Sequence, residues 1–412
     1  MRGERLIAGI DIGTSQTNTL IAELDENNQF EIVGVGSAQS RGIKRGVIVD
    51  LEQASEAVKE SVNNAERMAG VQIDSAVVAV NGSHISTFNS QGVIAIPEDN
   101  MEIDEEDIEK VIEAAKAGVI SPDRELIHVL PREFILDGQK GILDPLGMSG
   151  SRLEGKVHIV TGSITAVQNL LKCIEKAEID VEELIFGNLA CGRILLNKTE
   201  KELGVLLIDI GSGSSDISVF INNNMAYSSI LPLGGIQITN DLAIGLKTSI
   251  EESEKLKVKY GSVVGNYISP EDVVEVKKVN GEKKEEISKK YIVDIIEPRV
   301  QEIFTLIRDE LEKSNYYNVI TQGIVLSGGC SLLPGIADLA AKVFETNARV
   351  GKPDYEGELG DMINEPRFST VMGLLDYAIE QVNSETSAGS TKRRKKGNTL
   401  FVKLANWLRD FF

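Results

Sequence analysis

Two stretches of this chain place acids, glycines and hydroxyl side chains where chemistry on a phosphate would need them. Residues 204–219 read Gly-Val-Leu-Leu-Ile-Asp-Ile-Gly-Ser-Gly-Ser-Ser-Asp-Ile-Ser-Val. An apolar run, Val205–Ile208, leads into Asp209, and a polar turn follows through Gly211, Ser212, Gly213 and Ser214. Apolar residues then return at every second position, Ile217, Val219 and Ile221, a strand's period and not a helix's. In such a hairpin the turn's backbone N–H groups can converge on an anion, and glycine keeps a Cβ out of its way. A carboxylate at the strand end suits Mg²⁺ held through water. Gly-Ser turns join hairpins everywhere, so one copy carries little. Residues 6–22, Leu-Ile-Ala-Gly-Ile-Asp-Ile-Gly-Thr-Ser-Gln-Thr-Asn-Thr-Leu-Ile-Ala, repeat the pattern, with Asp11 at the strand end and Gly13, Thr14, Ser15 and Gln16 in the turn. Two copies about half a chain apart predict a duplicated domain that faces one nucleotide from both sides. Other phosphate loops are disfavoured, since no Gly-x4-Gly-Lys-Ser/Thr occurs and no Gly-x-Gly-x-x-Gly leads from strand to helix.

The elements that must carry these turns follow from periodicity and punctuation. After the first hairpin come a strand at Ile32–Ala38, a basic Gly-flanked loop (Arg41-Gly-Ile-Lys-Arg-Gly46), an amphipathic helix over 51–69 and a strand at 76–81. Residues 84–162 change character. An acid-rich helix over 104–118 opens on Asp104 as N-cap, and strands are expected near 126–130, 133–136 and 156–161, with Pro131 separating the first two. Helix 165–177, strand 183–186 and helix 189–197 lead to the second hairpin. Beyond it lie helices 236–246 and 251–259, a hairpin with Asn280-Gly281 at its apex, and a long helix over 288–313. Strand 323–326 runs into Gly328-Gly329; helices from Ile336 and over 368–382 complete the pattern.

At 412 residues the chain has room for two or three domains. Its 42% hydrophobic content is that of a soluble α/β protein, and no apolar run approaches the roughly 18 residues of a membrane span. The first strand is reached within six residues that include Arg2, Glu4 and Arg5, so no secretory signal is expected. Cys173, Cys191 and Cys330 are far apart in apolar surroundings and read as reduced core thiols; three unclustered histidines argue against zinc. The formal net charge is −20, yet residues 385–412 hold seven Lys/Arg against Glu385 and Asp410, a local +5 on a body of −25. An acidic body does not bind nucleic acid or an anionic bilayer by itself, so the tail carries a separate property.

The two hairpins, Gly328-Gly329 after a strand and Gly373 on a late helix resemble the actin–Hsp70–hexokinase ATPase superfamily. Within it the chain is most similar to the bacterial cell-division family FtsA. The resemblance extends through Asn81-Gly-Ser-His-Ile-Ser86, Asp144-Pro-Leu-Gly-Met-Ser149, Val157-His-Ile-Val-Thr-Gly162 and Ile296-Glu-Pro-Arg299. It implies an actin-like two-lobed α/β ATPase fold with duplicated RNase H-like domains, an inserted α+β subdomain (1C), and a disordered linker with an amphipathic helix at the C-terminus. The implied division is 1A over 1–83 and 163–198 with a final helix at 365–382, 1C over 84–162, 2A over 199–240 and 314–364, 2B over 241–313, a basic linker over 383–398 and the terminal helix over 399–412.

It also implies ATP with Mg²⁺ in the cleft. Asp11 and Asp209 would serve the metal through water. Gly13, Thr14, Ser15 and Gln16, with Gly211, Ser212, Gly213 and Ser214, would embrace the phosphates. Gly328 and Gly329 would flank the adenosine, with Gly235, Glu254 and Lys257 near ribose or base; as plain sequence, Glu254 and Lys257 read equally well as solvated helix charges. Relatives often carry a Lys near Gln16 or Asn18, and an acid that orients water near Gly187 or Asn188; this chain has neither. Loss of a general base typically costs about 10²–10⁴-fold in rate. ATP binding with weak or no turnover is therefore expected.

Residues 399–412 put Leu400, Phe401, Leu404, Trp407, Leu408 and Phe411 on one helical stripe behind the basic run 392–396. Fully burying large apolar side chains is worth about 1.5–3 kcal/mol each, and each basic residue near an anionic surface adds up to about 1 kcal/mol. Together they read as a two-signal interfacial anchor. The family likeness then implies a polymer of this chain at the cytoplasmic face of the cell membrane, at the division septum. It would tether the C-terminal tail of tubulin-like FtsZ, through Lys289, Lys290 and Arg299, and recruit later division proteins through subdomain 1C. The competing readings are a pilus or secretion ATPase sharing the insertion, and a phosphotransferase of the same fold.

Overall fold

The structure is a computed structural model that describes residues 5–25, 30–97, 101–264, 269, 271–278 and 284–387. Of the expected linker over 383–398, residues 383–387 instead continue the last helix, which runs to Ser387; the rest of the linker, the terminal helix with its membrane-facing residues, and the Asn280-Gly281 apex lie outside the described residues.

The first half starts with β1 (Arg5–Ile12), β2 (Gln16–Leu24) and β3 (Phe30–Gln39), an antiparallel meander. A two-rung ladder, β4 (Ile43–Lys44) and β5 (Val47–Ile48), precedes α1 (Leu51–Ala69). Asp50 caps α1 by accepting from Gln53 N, and Gly70 closes it in the left-handed conformation. Strand β6 (Ser75–Val80) runs parallel to β1. The insertion follows: β7 (Ile85–Ala95), α2 (Glu105–Lys116), β8 (Arg124–Leu136), β9 (Gln139–Ile142) and β10 (Arg152–Ser163), forming a sheet ordered β7-β10-β8-β9. Asp104 and Asp107 make a reciprocal capping box at the start of α2.

Here one expectation fails: residues 126–136 form part of one thirteen-residue strand, not two strands split at Pro131. Pro131 pairs with Val157 and Glu133 with Lys156, so Arg132 is bulged out. On the other side β9 reaches only Phe134 and Leu136, so the missing proline N–H costs no ladder bond there.

The chain returns through α3 (Ile164–Lys176), β11 (Asp180–Phe186) and α4 (Gly187–Leu195), and a short helix, α5 (Lys198–Leu203), leads into the second half. There β12 (Val205–Ile210), β13 (Ser215–Ile221) and β14 (Asn224–Leu231) repeat the meander. Helices α6 (Gly235–Leu246) and α7 (Ile250–Tyr260), the hairpin β15 (Val273–Lys277) and β16 (Lys284–Ser288), and α8 (Lys289–Lys313) come next. Strand β17 (Ile324–Ser327) runs parallel to β12, followed by α9 (Ile336–Phe344), β18 (Ala348–Val350), α10 (Gly360–Ile363) and α11 (Ser369–Ser387).

The duplication is visible in the sheet orders, β3-β2-β1-β6-β11 and β14-β13-β12-β17-β18. Each sheet is buried on both faces, so its central strands are nearly all apolar. Helices α1 and α3 cover one face of the first sheet, and α11 (Val371, Leu374, Leu375) covers the other. Helices α6 to α9 cover the outer face of the second sheet, and α4 fills the space between the lobes with Cys191 and Leu195 against Leu207 and Phe220. The insertion has its own core around Phe134, Val157 and Ile159.

Candidate functional site: the cleft between the two hairpins

Both acid-ended turns open into one cleft. Its lining includes Asp11, Gly13, Thr14, Ser15 and Gln16 from the first hairpin and Asp209, Gly211, Ser212, Gly213 and Ser214 from the second, around a cavity of about 600 Å³. The turns are built alike: Gly13 N donates to Gln16 O at 3.0 Å, and Gly211 N to Ser214 O at 2.9 Å. Helix α6 backs the second turn, with Gly235 N and Ile236 N donating to the carbonyls of Gly211 and Ser212. Among the described residues no protein acceptor takes the backbone N–H of Thr14, Ser15, Ser212, Gly213 or Ser214. Donors so placed on two facing turns make an anion site. Across the cleft the lobes nearly touch, since a Cβ on Gly213 would lie 2.6 Å from Thr14 Oγ1 and 2.9 Å from Arg45 Cα.

Beside the turns the cleft collects three carboxylates, Asp11, Asp209 and Asp216. Burial, then the nearby charge of Asp209, pushes Asp11 up to about 7. Burial raises Asp209 to about 6 against the pull of the Thr370 hydroxyl. Asp216 rises to about 8, by burial first and then by Asp209. Its Oδ1 is buried without a hydrogen-bond partner. Crowded hard oxygens with an unsatisfied member suit a hard divalent cation. Among the described residues no three acidic, His or Cys side chains are grouped closely enough to chelate a metal directly.

At the far end Lys257 is buried beside Glu254, its Nζ 2.7 Å from the carboxylate, and it donates to Thr239 Oγ1 and Gly235 O. Both side chains line the cleft, so solvated helix charge does not describe Lys257. Gly328, Gly329, Cys330, Leu333 and Pro334 also line the cleft, as do Val258 and Leu332, whose side chains are exposed. Gly235 sits behind the lining: a Cβ there would meet Cys330 Sγ at 2.5 Å and Lys257 Nζ at 3.2 Å. All three cysteines are buried free thiols, and burial pushes Cys330 up to about 11.

The cleft also holds residues that the sequence reading passed over: Asp216, Asn18, Asn81, Arg367 and Thr370. Asp216 had a usable signal, since it stands seven residues after Asp209 as Asn18 stands seven after Asp11. Gly187 and Asn188 do not reach the lining; Asn188 is buried and donates to Ser218 Oγ at 3.0 Å. Lys289, Lys290 and Arg299 lie away from the cleft on α8, where ten residues of helix span about 15 Å. Arg299 is already engaged: Nε lies 2.6 Å from Asp241 Oδ2, Nη2 lies 3.1 Å from Oδ1, and Nη1 meets Glu302. Lys289 Nζ lies 5.7 Å from the centre of the Tyr260 ring. No helix among the described residues is long and apolar enough to cross a membrane.

Comparison with known proteins gives the same pattern a family. The model for cell division protein FtsA matches residues 206–373, and the model for the SHS2 domain inserted in FtsA matches residues 82–161. Cell division protein FtsA of Pseudomonas aeruginosa is 36% identical over 412 residues, 99% of this chain and 98% of that protein. Among solved structures, the PilM-PilN type IV pilus biogenesis complex superposes with a TM-score of 0.65 at 19% identity, covering 92% of this chain and 99% of that one. MreB 5 of Spiroplasma citri bound to AMPPNP gives 0.57 at 14% identity, covering 93% and 99%. At such identities the structural likeness speaks for the actin-like fold alone, whereas the near full-length likeness in sequence goes further: the chain belongs to the FtsA cell-division family.

Proposed function

We propose that the chain binds ATP with Mg²⁺ between its lobes, turns it over slowly or not at all, and uses the nucleotide as a ligand for assembly. The observation that carries this reading is the convergence of both Asp-Ile-Gly turns, with their free N–H groups and three carboxylates, on one cavity. Asp11, Asp209 and Asp216 would hold the hydrated cation, which would offset charge on the phosphates. Support for the nucleotide's identity comes from MreB 5, a protein of the same fold bound to AMPPNP. Support for slow turnover is the lack of a titratable side chain at Gly187 and Asn188. The assembled chains would lie at the division site on the cytoplasmic face of the membrane, pinned by the stripe Leu400, Phe401, Leu404, Trp407, Leu408 and Phe411. They would tether FtsZ through the α8 surface, with later division proteins on the insertion. Because Arg299 is spent on Asp241, Lys289 and Lys290 carry the charge available to an acidic peptide there.

One paired experiment tests both halves. The full chain and a chain lacking 398–412 are titrated with ATP and Mg²⁺ by calorimetry, assayed for phosphate release, and sedimented with anionic liposomes. Both should bind ATP, with turnover below about one per second, the low end of ordinary enzymes. Only the full chain should sediment. Faster turnover rejects the assembly-ligand reading, and sedimentation of the truncated chain rejects the anchor.

A further inference from the structure

By chain connectivity the insertion belongs to the first lobe, leaving it after β6 and rejoining it at α3. It holds that lobe through His128, whose Nε2 accepts from Phe186 N at 2.9 Å. Yet it also rests on the second lobe, along β14. Thr87 Oγ1 donates to Ser228 O, and Asn89 Nδ2 donates to Ala226 O at 3.1 Å and to Tyr316 Oη at 2.8 Å. Asn224 Nδ2 reaches Arg132 O at 3.3 Å. The Arg132 guanidinium lies 6.0 Å from the centre of the Tyr316 ring, which itself stacks on Tyr227 at 4.9 Å.

His158 sits at the middle of this contact, 1% exposed. Its Nδ1 is 2.7 Å from Asn89 Oδ1 and its Nε2 is 2.8 Å from Ser228 Oγ. A carboxamide oxygen only accepts, so the hydrogen-bond network assigns the proton to Nδ1 and makes Nε2 the acceptor of the Ser228 hydroxyl. Burial, and then the charge of Arg132, lowers the imidazole to about 3, so it stays neutral. The path Ser228 to His158 to Asn89 to Ala226 and Tyr316 is satisfied at every step; His158 and Ser228 are buried at its inner end, and Asn89 closes it at the surface. Its inner end resists breaking, because on release the His158 imidazole and the Ser228 hydroxyl would be left buried and unpaired.

The polypeptide itself crosses between the lobes twice, before β12 and after β18. We propose that the insertion is a strut between the lobes, with the Asn89–His158–Ser228 chain as its locking contact, so that the cleft opens only when this contact releases. The two states are a docked insertion with the lobes held together and a released one with the lobes free to turn about the covalent crossings. A partner that grips the insertion would then act on the cleft, and a ligand in the cleft on the insertion, with equal coupling in both directions.

The test measures lobe separation in the full chain without nucleotide, so it stands apart from the ATP reading. Spin labels are placed by E60C on α1 and K255C on α7, both exposed positions, one on each lobe; the three native thiols are buried. Pulsed electron resonance should give a narrow distance distribution for the parent chain. His158→Gln and Ser228→Ala should each broaden it and shift it to longer separations. The double variant should add little to the larger single effect, because both break one chain. An unchanged distribution in folded Ser228→Ala, which removes one hydroxyl, overturns the strut even if His158→Gln fails to fold. So does a variant that exposes the insertion's β7 and β10 amides to hydrogen exchange while the lobe separation stays fixed.

Discussion

The two hairpins share a backbone and differ in charge. In the first, Asp11 on β1 faces Asn18 on β2; in the second, Asp209 on β12 faces Asp216 on β13, at the same place in the ladder. Each inner strand has a parallel neighbour, β6 or β17, and each neighbour ends near a glycine of positive φ, Gly82 at 113° and Gly328 at 80°. The surroundings of those glycines differ. Gly82 packs against the turn at Arg45 and Gly46, whereas Gly328 packs against the Asp209 carboxylate itself. Duplication preserved a turn that presents N–H groups, and only the second copy doubles its carboxylates. A cation held as proposed would therefore rest mainly on the second lobe, with one acid and a neutral amide from the first.

The sharpest way to break this asymmetry is to fill the two glycines. A Cβ at Gly328 would lie 2.3 Å from Asp209 Oδ1 and 2.6 Å from Ile210 O; one at Gly82 would lie 2.6 Å from Arg45 O. Both changes force an alanine into left-handed backbone, costing roughly 1–3 kcal/mol. Gly328→Ala should also displace Asp209 and weaken Mg-ATP binding by more than about tenfold, over 1.4 kcal/mol. Gly82→Ala should lower the melting temperature by a similar amount and leave affinity within a factor of about two, well under 1 kcal/mol. Thermal unfolding and calorimetry separate the outcomes. Equal losses of affinity would mean that the hairpins share the ligand's charge evenly.

A milder change converts one hairpin toward the other. Asp216→Asn gives the second ladder the first one's acid–amide pair with almost no change in shape. Mg-ATP affinity should fall by about tenfold, or 1.4 kcal/mol, while affinity for ATP without Mg²⁺ changes less. The ratio of the two dissociation constants, measured side by side, should therefore shrink. An unchanged ratio would remove Asp216 from the cation's surroundings and leave its unpaired Oδ1 without a role.

The fold was largely legible because duplication leaves periodic marks. The return to apolar residues after each Asp-Ile-Gly, the Asp104 cap and the helix over 51–69 are local signals, and the structure keeps them. Pro131 misled because a bulge at Arg132 is invisible in one strand's sequence; the partner residues Lys156 and Val157 decide it. Lys257 was ambiguous for a related reason. Its helix reads as charged and solvated, and only the approach of Gly235 and Thr239 on α6, beside Glu254 on its own helix, turns it inward. Asp216 was readable from spacing alone, yet the eye follows the acid before a turn more readily than the one after it. The contact between insertion and second lobe had no such mark: Asn89, His158 and Ser228 come from three strands separated by about seventy residues each, and nothing local ties them together.

That contact also separates the two halves in the smallest effect expected here. The outer strand β14 carries a buried neutral imidazole against it, and the equivalent outer strand β3 has none. Unfolded, His158 would take up a proton near 6.5; folded, it refuses one until about 3. At this group the unfolded state therefore binds more protons between these values, so its contribution to stability falls as pH falls through that window, while the raised carboxylates Asp11, Asp209 and Asp216 act in the opposite direction in parent and variant alike. For one such group the loss is about 0.8 kcal/mol at pH 6 and grows with further acidification. His84, held neutral down to about 4 by burial and by Arg124, contributes in the same direction to parent and variant alike. Denaturant unfolding of the parent and of His158→Gln between pH 8 and 5.5 should show the parent losing stability relative to the variant as pH falls, with the pH-dependent part of the difference vanishing above about pH 7.5, a full pH unit beyond the unfolded value. Parallel curves would mean that the imidazole titrates in the folded chain, which requires water at the contact and removes the feature that sets β14 apart from β3.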